Sequence, residues 1–74
     1  MMVKKYVIVN EDNGKYFTGK YWYEFGVWDR NITEAELYNS MSLINEVFTL
    51  DEVKDVFEKI KYVTIKTIYV NETE

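Results

Sequence analysis

The stretch VKKYVIVNEDNGKYF, Val3 to Phe17, decides the fold. Val3 to Val9 is a short apolar run rich in β-branched residues, closed by the polar cluster Asn10-Glu11-Asp12-Asn13-Gly14. β-Branched side chains have few rotamers to lose on a pleated surface, so the run reads as a strand entering a turn. Asn13-Gly14 supplies two residues that tolerate positive φ, as a two-residue hairpin turn requires. That turn predicts Asp12 opposite Lys15, Asn10 opposite Phe17, Ile8 opposite Gly19 and Tyr6 opposite Tyr21. One face would carry Tyr6, Ile8, Phe17, Tyr21 and Tyr23, and the other Val3, Val7, Val9, Tyr16 and Trp22. Both faces are apolar, so one should pack on a helix while the other is only partly covered. Gly19 and Gly26 mark places where the second strand should bulge or bend.

At the other end of the chain, Tyr62 to Val70 alternates β-branched and polar residues, which predicts a strand closing the sheet, followed by a frayed polar end. Before it, Phe48-Thr49-Leu50-Asp51-Glu52-Val53 has the form of a helix cap with a hydrophobic staple, and Val53, Val56, Phe57 and Ile60 follow at helical spacing. A helix over about 50–61 is expected. Asp51, Asp55 and Glu58 fall on its outer side, and Asp51 and Glu52 complement the positive end of its dipole.

Residues 29–49 allow two readings. Thr33 as N-cap with Glu36 three residues on, and Ile32 stapled to Leu37, would start a helix running to about 48. The alternative makes Glu36 to Asn39 a short strand and Ser40 the cap of a shorter helix through Phe48. Asn39, Ser40 and Ser42 compete for backbone hydrogen bonds and weaken the first reading. Either way the expectation is one small α+β domain over residues 1–74: an N-terminal antiparallel hairpin, a third short strand in the second reading, one or two helices, and a C-terminal strand.

Composition excludes much chemistry. The 74 residues are 47% hydrophobic and 18% aromatic, well above chains that stay disordered. A core this small nets only about 3–5 kcal/mol. With no cysteine to form a disulfide, large aromatics or self-association must supply more, so a homo-oligomer is one expectation. The absence of both Cys and His removes the ligands of zinc, iron–sulfur and most copper sites, and also the thiolate and imidazole of nucleophilic relays. No enzyme activity, cofactor or metal is expected. No apolar stretch approaches the roughly 20 residues a membrane-spanning helix needs, and no signal sequence is visible, which favours a cytoplasmic location.

Two surfaces are candidates for partner binding. The run Lys15 to Trp28 is dense in aromatics, and Tyr16, Tyr21, Trp22 and Trp28 could form an interface face, since exposed Tyr and Trp are frequent anchors. The ordinary alternative is that these rings are core. With Lys20 they could also stack single-stranded nucleic acid, against the handicap of a net charge of −4. The second surface is the acidic face Asp51, Asp55 and Glu58. The acid is concentrated late in the chain: residues 31–74 carry nine Asp/Glu against four Lys/Arg. Such a face can present carboxylates where a basic groove expects phosphates. Its ordinary alternative is a solvated helix face.

The segment WDRNITEAELYNS, Trp28 to Ser40, preceded by KYVIVNEDNGKYF and closed by KYVTIKTIYVN, resembles small accessory proteins of phages and prophages of Gram-positive bacteria. The resemblance favours the strand at Glu36 to Asn39 with Ser40 as cap, and the chain departs from it in the helix signal at Thr49 to Lys61. Members of that group include inhibitors of host enzymes and defence systems, anti-CRISPR proteins among them. No functional motif carries over residue by residue. The resemblance implies a non-catalytic phage or mobile-element protein, acting in the bacterial cytoplasm, that binds and inhibits or redirects a host protein. A single-strand nucleic-acid binder and a self-assembling structural protein are the alternatives.

Overall fold

The computed structural model describes residues 1–20, 26–51, 53–54 and 63–72. Strands β1 (Met2–Asn10), β2 (Lys15–Phe17), β3 (Trp28–Asp29) and β4 (Val63–Asn71) form one antiparallel sheet in the order β3-β2-β1-β4. A 3-10 turn spans Ile32–Glu34 and helix α1 spans Met41–Phe48. The α+β class is as the sequence predicts.

β1 is the central strand. It pairs with β4 from Met2↔Asn71 to Asn10↔Val63 without interruption, and with β2 at Val9↔Tyr16 and Asn10↔Lys15. The hairpin register therefore differs by two residues from the one expected of Asn13-Gly14. Asn10 explains it. Its carbonyl accepts from Gly14 N–H at 2.8 Å, its side chain accepts from Asp12 N–H at 2.9 Å, and Asn13 Oδ1 accepts from Lys15 N–H at 2.9 Å. These side-chain bonds build a four-residue turn over 11–14, in which Gly14 alone takes positive φ, +73°. Because side chains alternate with period two, the two-residue shift leaves Tyr16 and Phe17 on their expected faces.

β2 stops at Phe17, where Thr18 turns the chain. Thr18 N–H donates to Val27 O at 3.0 Å and its hydroxyl donates to Gly26 O at 2.7 Å. Gly19 and Gly26 both have positive φ, but they lie beyond the end of β2 and not within it, so the second strand is shorter than expected. Beyond β2, the same side of β1 is taken by Tyr38. Tyr6 N–H donates to Tyr38 O at 2.8 Å and Tyr38 N–H to Tyr6 O at 2.9 Å. Tyr6 thus meets Tyr38, and its expected partner Tyr21 lies outside the described residues.

That bridge favours the second reading of residues 29–49, although the strand expected over Glu36 to Asn39 is reduced to the single bridge at Tyr38. Thr33 is not a helix cap. Asn31 caps the 3-10 turn by accepting from Thr33 N–H at 3.0 Å, and the chain then runs extended to Tyr38. Ser40 caps α1, its Oγ accepting from Leu43 N–H at 3.3 Å. Thr49, expected to open the next helix, closes α1 instead, donating its hydroxyl to Glu46 O at 2.6 Å. Helical bonding resumes at Leu50, whose carbonyl accepts from Val53 and Lys54. The remainder of the expected 50–61 helix lies outside the described residues.

The core sits between the sheet and α1. Ile8, Phe17, Tyr38 and Ile44 are buried together, with Tyr6, Val27, Trp28, Val47, Phe48, Val63 and Ile65 packed around them. On the opposite face Val7 and Val9 are also buried, while Val3, Tyr16, Ile68 and Val70 are half-buried. Among the described residues no helix is long and apolar enough to cross a membrane.

Candidate functional site

The aromatic candidates divide between the two faces. Tyr16 pairs with Asp29 and Phe17 with Trp28, so Tyr16 and Trp28 point to opposite sides of β2 and β3. The Trp28 ring meets Phe17 with centroids 5.5 Å apart and planes tilted 54°, at the border of the core. Tyr16 is half-buried on the other face, across from Val9. Tyr21 and Trp22 lie outside the described residues. Of the acidic candidates, Asp51 is exposed in the helical turn after Leu50 and sits 3.7 Å from Lys54. An ion pair this open adds little. Asp55 and Glu58 lie outside the described residues.

A third surface escapes a reading of the sequence. Ile32, Thr33 and Ala35 of the 3-10 turn, Leu37 beyond it, and Ile68, Tyr69 and Val70 of β4 line an apolar groove of about 290 Å³. Ile32 and Leu37 are each 41% exposed and Tyr69 61%, a cluster of large side chains that water would otherwise expel. The staple logic did link Ile32 with Leu37. It did so within a helix that does not form, and gave no hint of β4. Lys5 steadies this end of the sheet: its ammonium donates to Asn39 Oδ1 and lies 3.2 Å from Glu72.

A separate cleft of about 430 Å³ opens beside Phe17, Thr18, Gly19, Lys20, Glu36, Tyr38, Val47 and Leu50. Glu36 N–H donates to Phe17 O at 2.9 Å, which brings the Glu36 side chain against Gly19. A Cβ on Gly19 would stand 3.1 Å from Glu36 Oε2, on a backbone already at φ +80°. The positive φ favours glycine there, and any larger residue would also push the Glu36 side chain aside. Burial, with the nearby charge of Glu36 second, pushes the Tyr38 phenol up to about 12. It stays neutral as a core side chain.

No protein-family model, no curated protein and no solved structure matches the chain.

Proposed function

We propose that this chain is a non-catalytic phage or mobile-element protein that binds a host protein and inhibits or redirects it. The observation that carries the reading is the apolar groove formed by the 3-10 turn and the end of β4. It offers Ile32, Leu37 and Tyr69 to solvent, and exposed Glu34 lies between two of its lining residues. With a net charge of −4 and most acid in the second half, the chain favours a partner whose apolar segment is flanked by Lys or Arg. Nucleic-acid enzymes present such surfaces. The acidic face of Asp51, Asp55 and Glu58 would extend the same electrostatic preference.

The test uses tagged protein in host lysate at low salt. Wild type should retain one stoichiometric partner. Leu37→Lys and Ile32→Lys should lose it while melting as wild type does. Retention by both groove variants, with loss on reversing Asp51, Asp55 and Glu58 to Lys, would move the contact to those acidic residues. Recovery of no stoichiometric partner by folded wild type would defeat the proposal.

A further inference from the structure

β4 is an edge strand, and its free side is self-complementary. Successive residues of a strand aim their backbone groups at alternate edges. Tyr6 bonds to Tyr38, and Asn10 bonds into the turn to β2, so the even-numbered residues of β1 face away from β4. The odd-numbered residues of β1 must bond β4, at Thr64, Lys66, Ile68 and Val70. The N–H and C=O groups of Val63, Ile65, Thr67, Tyr69 and Asn71 therefore point outward, and no strand among the described residues lies beside them.

An edge this long normally carries a proline, a bulge or charged side chains, lysine above all, that discourage further pairing. β4 has only one such device, a single lysine. It runs nine residues in unbroken register with β1 and contains no proline. Its one charge, Lys66, is drawn back over its own sheet, 3.5 Å from Glu11.

We infer that two copies of this chain pair antiparallel along β4, with Thr67 on the two-fold axis. The outward residues are spaced symmetrically about Thr67, so this register matches every free group with one on the partner copy: Val63 with Asn71, Ile65 with Tyr69, Thr67 with itself. Each such pair exchanges two backbone bonds. The side chains agree with the backbone, because Thr–Thr and aromatic–β-branched neighbours are favourable cross-strand pairs. Tyr69, 61% exposed in one chain, is covered by Ile65 of the other. Lys66 falls opposite Ile68, so no like charges meet. The two sheets become one continuous sheet, and a two-fold isologous contact of this kind closes on itself instead of growing into fibres. The inference does not depend on the host-protein proposal.

The test is the mass in solution by sedimentation from about 10 μM to about 1 mM, where mass action fills a weak dimer. Wild type should rise from 8.9 kDa to twice that value. Thr67→Lys and Thr67→Glu each place two like charges face to face and should raise the dimer dissociation constant by about tenfold or more. Mixing the two variants should restore the dimer, because opposite charges then meet on the axis. A wild-type mass of 8.9 kDa at every concentration would overturn the inference, including the case in which the edge serves a strand from a different protein. A dimer indifferent to both charges would overturn it as well.

Discussion

β1 and β4 are both nine-residue strands, paired with each other over their whole length, yet they differ in what surrounds them. β1 is flanked on both edges, by β4 on one side and by β2 and Tyr38 on the other, and its last residues, Val7 to Asn10, are buried. Among the described residues β4 has a neighbour on one edge only, and none of its own residues is fully buried. Position in the sheet, more than hydrophobicity, makes one strand the core and leaves the other able to bind. The central strand should be intolerant of truncation and the edge strand tolerant of it.

The sharpest way to break this contrast is a matched pair of truncations. Ile8 and Ile65 stand opposite each other in the ladder, one fully buried and one partly. Ile8→Ala should cost about 2–5 kcal/mol, comparable to the whole stability of so small a domain. Ile65→Ala should cost roughly half as much, since its site is open enough to collapse or hydrate. Urea melts followed by circular dichroism would show it, and equal losses would refute the ranking.

The side of β1 away from β4 can be probed by alkali. The folded-state pKa of Tyr38 lies above its ordinary 10, at about 12, so the neutral phenol favours the folded state. Its contribution is complete below pH 10 and is lost as pH rises toward about 12, amounting to about 2 kcal/mol at the high end. Tyr38→Phe should remove that part of the alkaline decline in thermal melts. An unchanged decline would place Tyr38 outside the core.

Smaller effects follow from the connections. Ser40→Ala removes the cap that starts α1 where it can set Ile44 on Ile8, and should lower stability by about 1 kcal/mol in the same urea melts. Glu11 joins the turn after β1 to the start of β4. The Thr64 hydroxyl, donating at 2.6 Å, and then the Lys66 charge hold its carboxyl below the ordinary value. The small stability this brings is present above about pH 4.5 and fades as pH falls through the lowered value. Glu11→Gln should lower the neutral plateau of the melting profile slightly and flatten its acid limb, so that the two proteins converge at low pH.

The long strands β1 and β4 and the Ser40 cap were legible because they are local: β-branched alternation and a serine ahead of an apolar helical stripe act over a few residues, whereas the two-residue β3 at Trp28–Asp29 is too short to leave such a pattern. The hairpin register was not, because Asn10 and Asn13 use their side chains to extend the turn, and an Asn-Gly pair looks the same in both turn types. Thr49 was misread for a related reason, since a threonine between two helical stretches can serve the end of one or the start of the next. The groove could not be read from the sequence at all. It joins Ile32 and Leu37 to Ile68 and Val70, and that contact exists only once β4 has crossed the sheet to lie beside β1.

Amide hydrogen exchange along β4 tests the central claim most directly. In dilute protein the amides of Thr64, Lys66, Ile68 and Val70 should be protected by β1, while those of Ile65, Thr67 and Tyr69 exchange fast. At concentrations that fill the dimer, protection should spread to all of them. Equal protection of both sets at every dilution would mean that the edge is already covered within one chain, and would contradict the account.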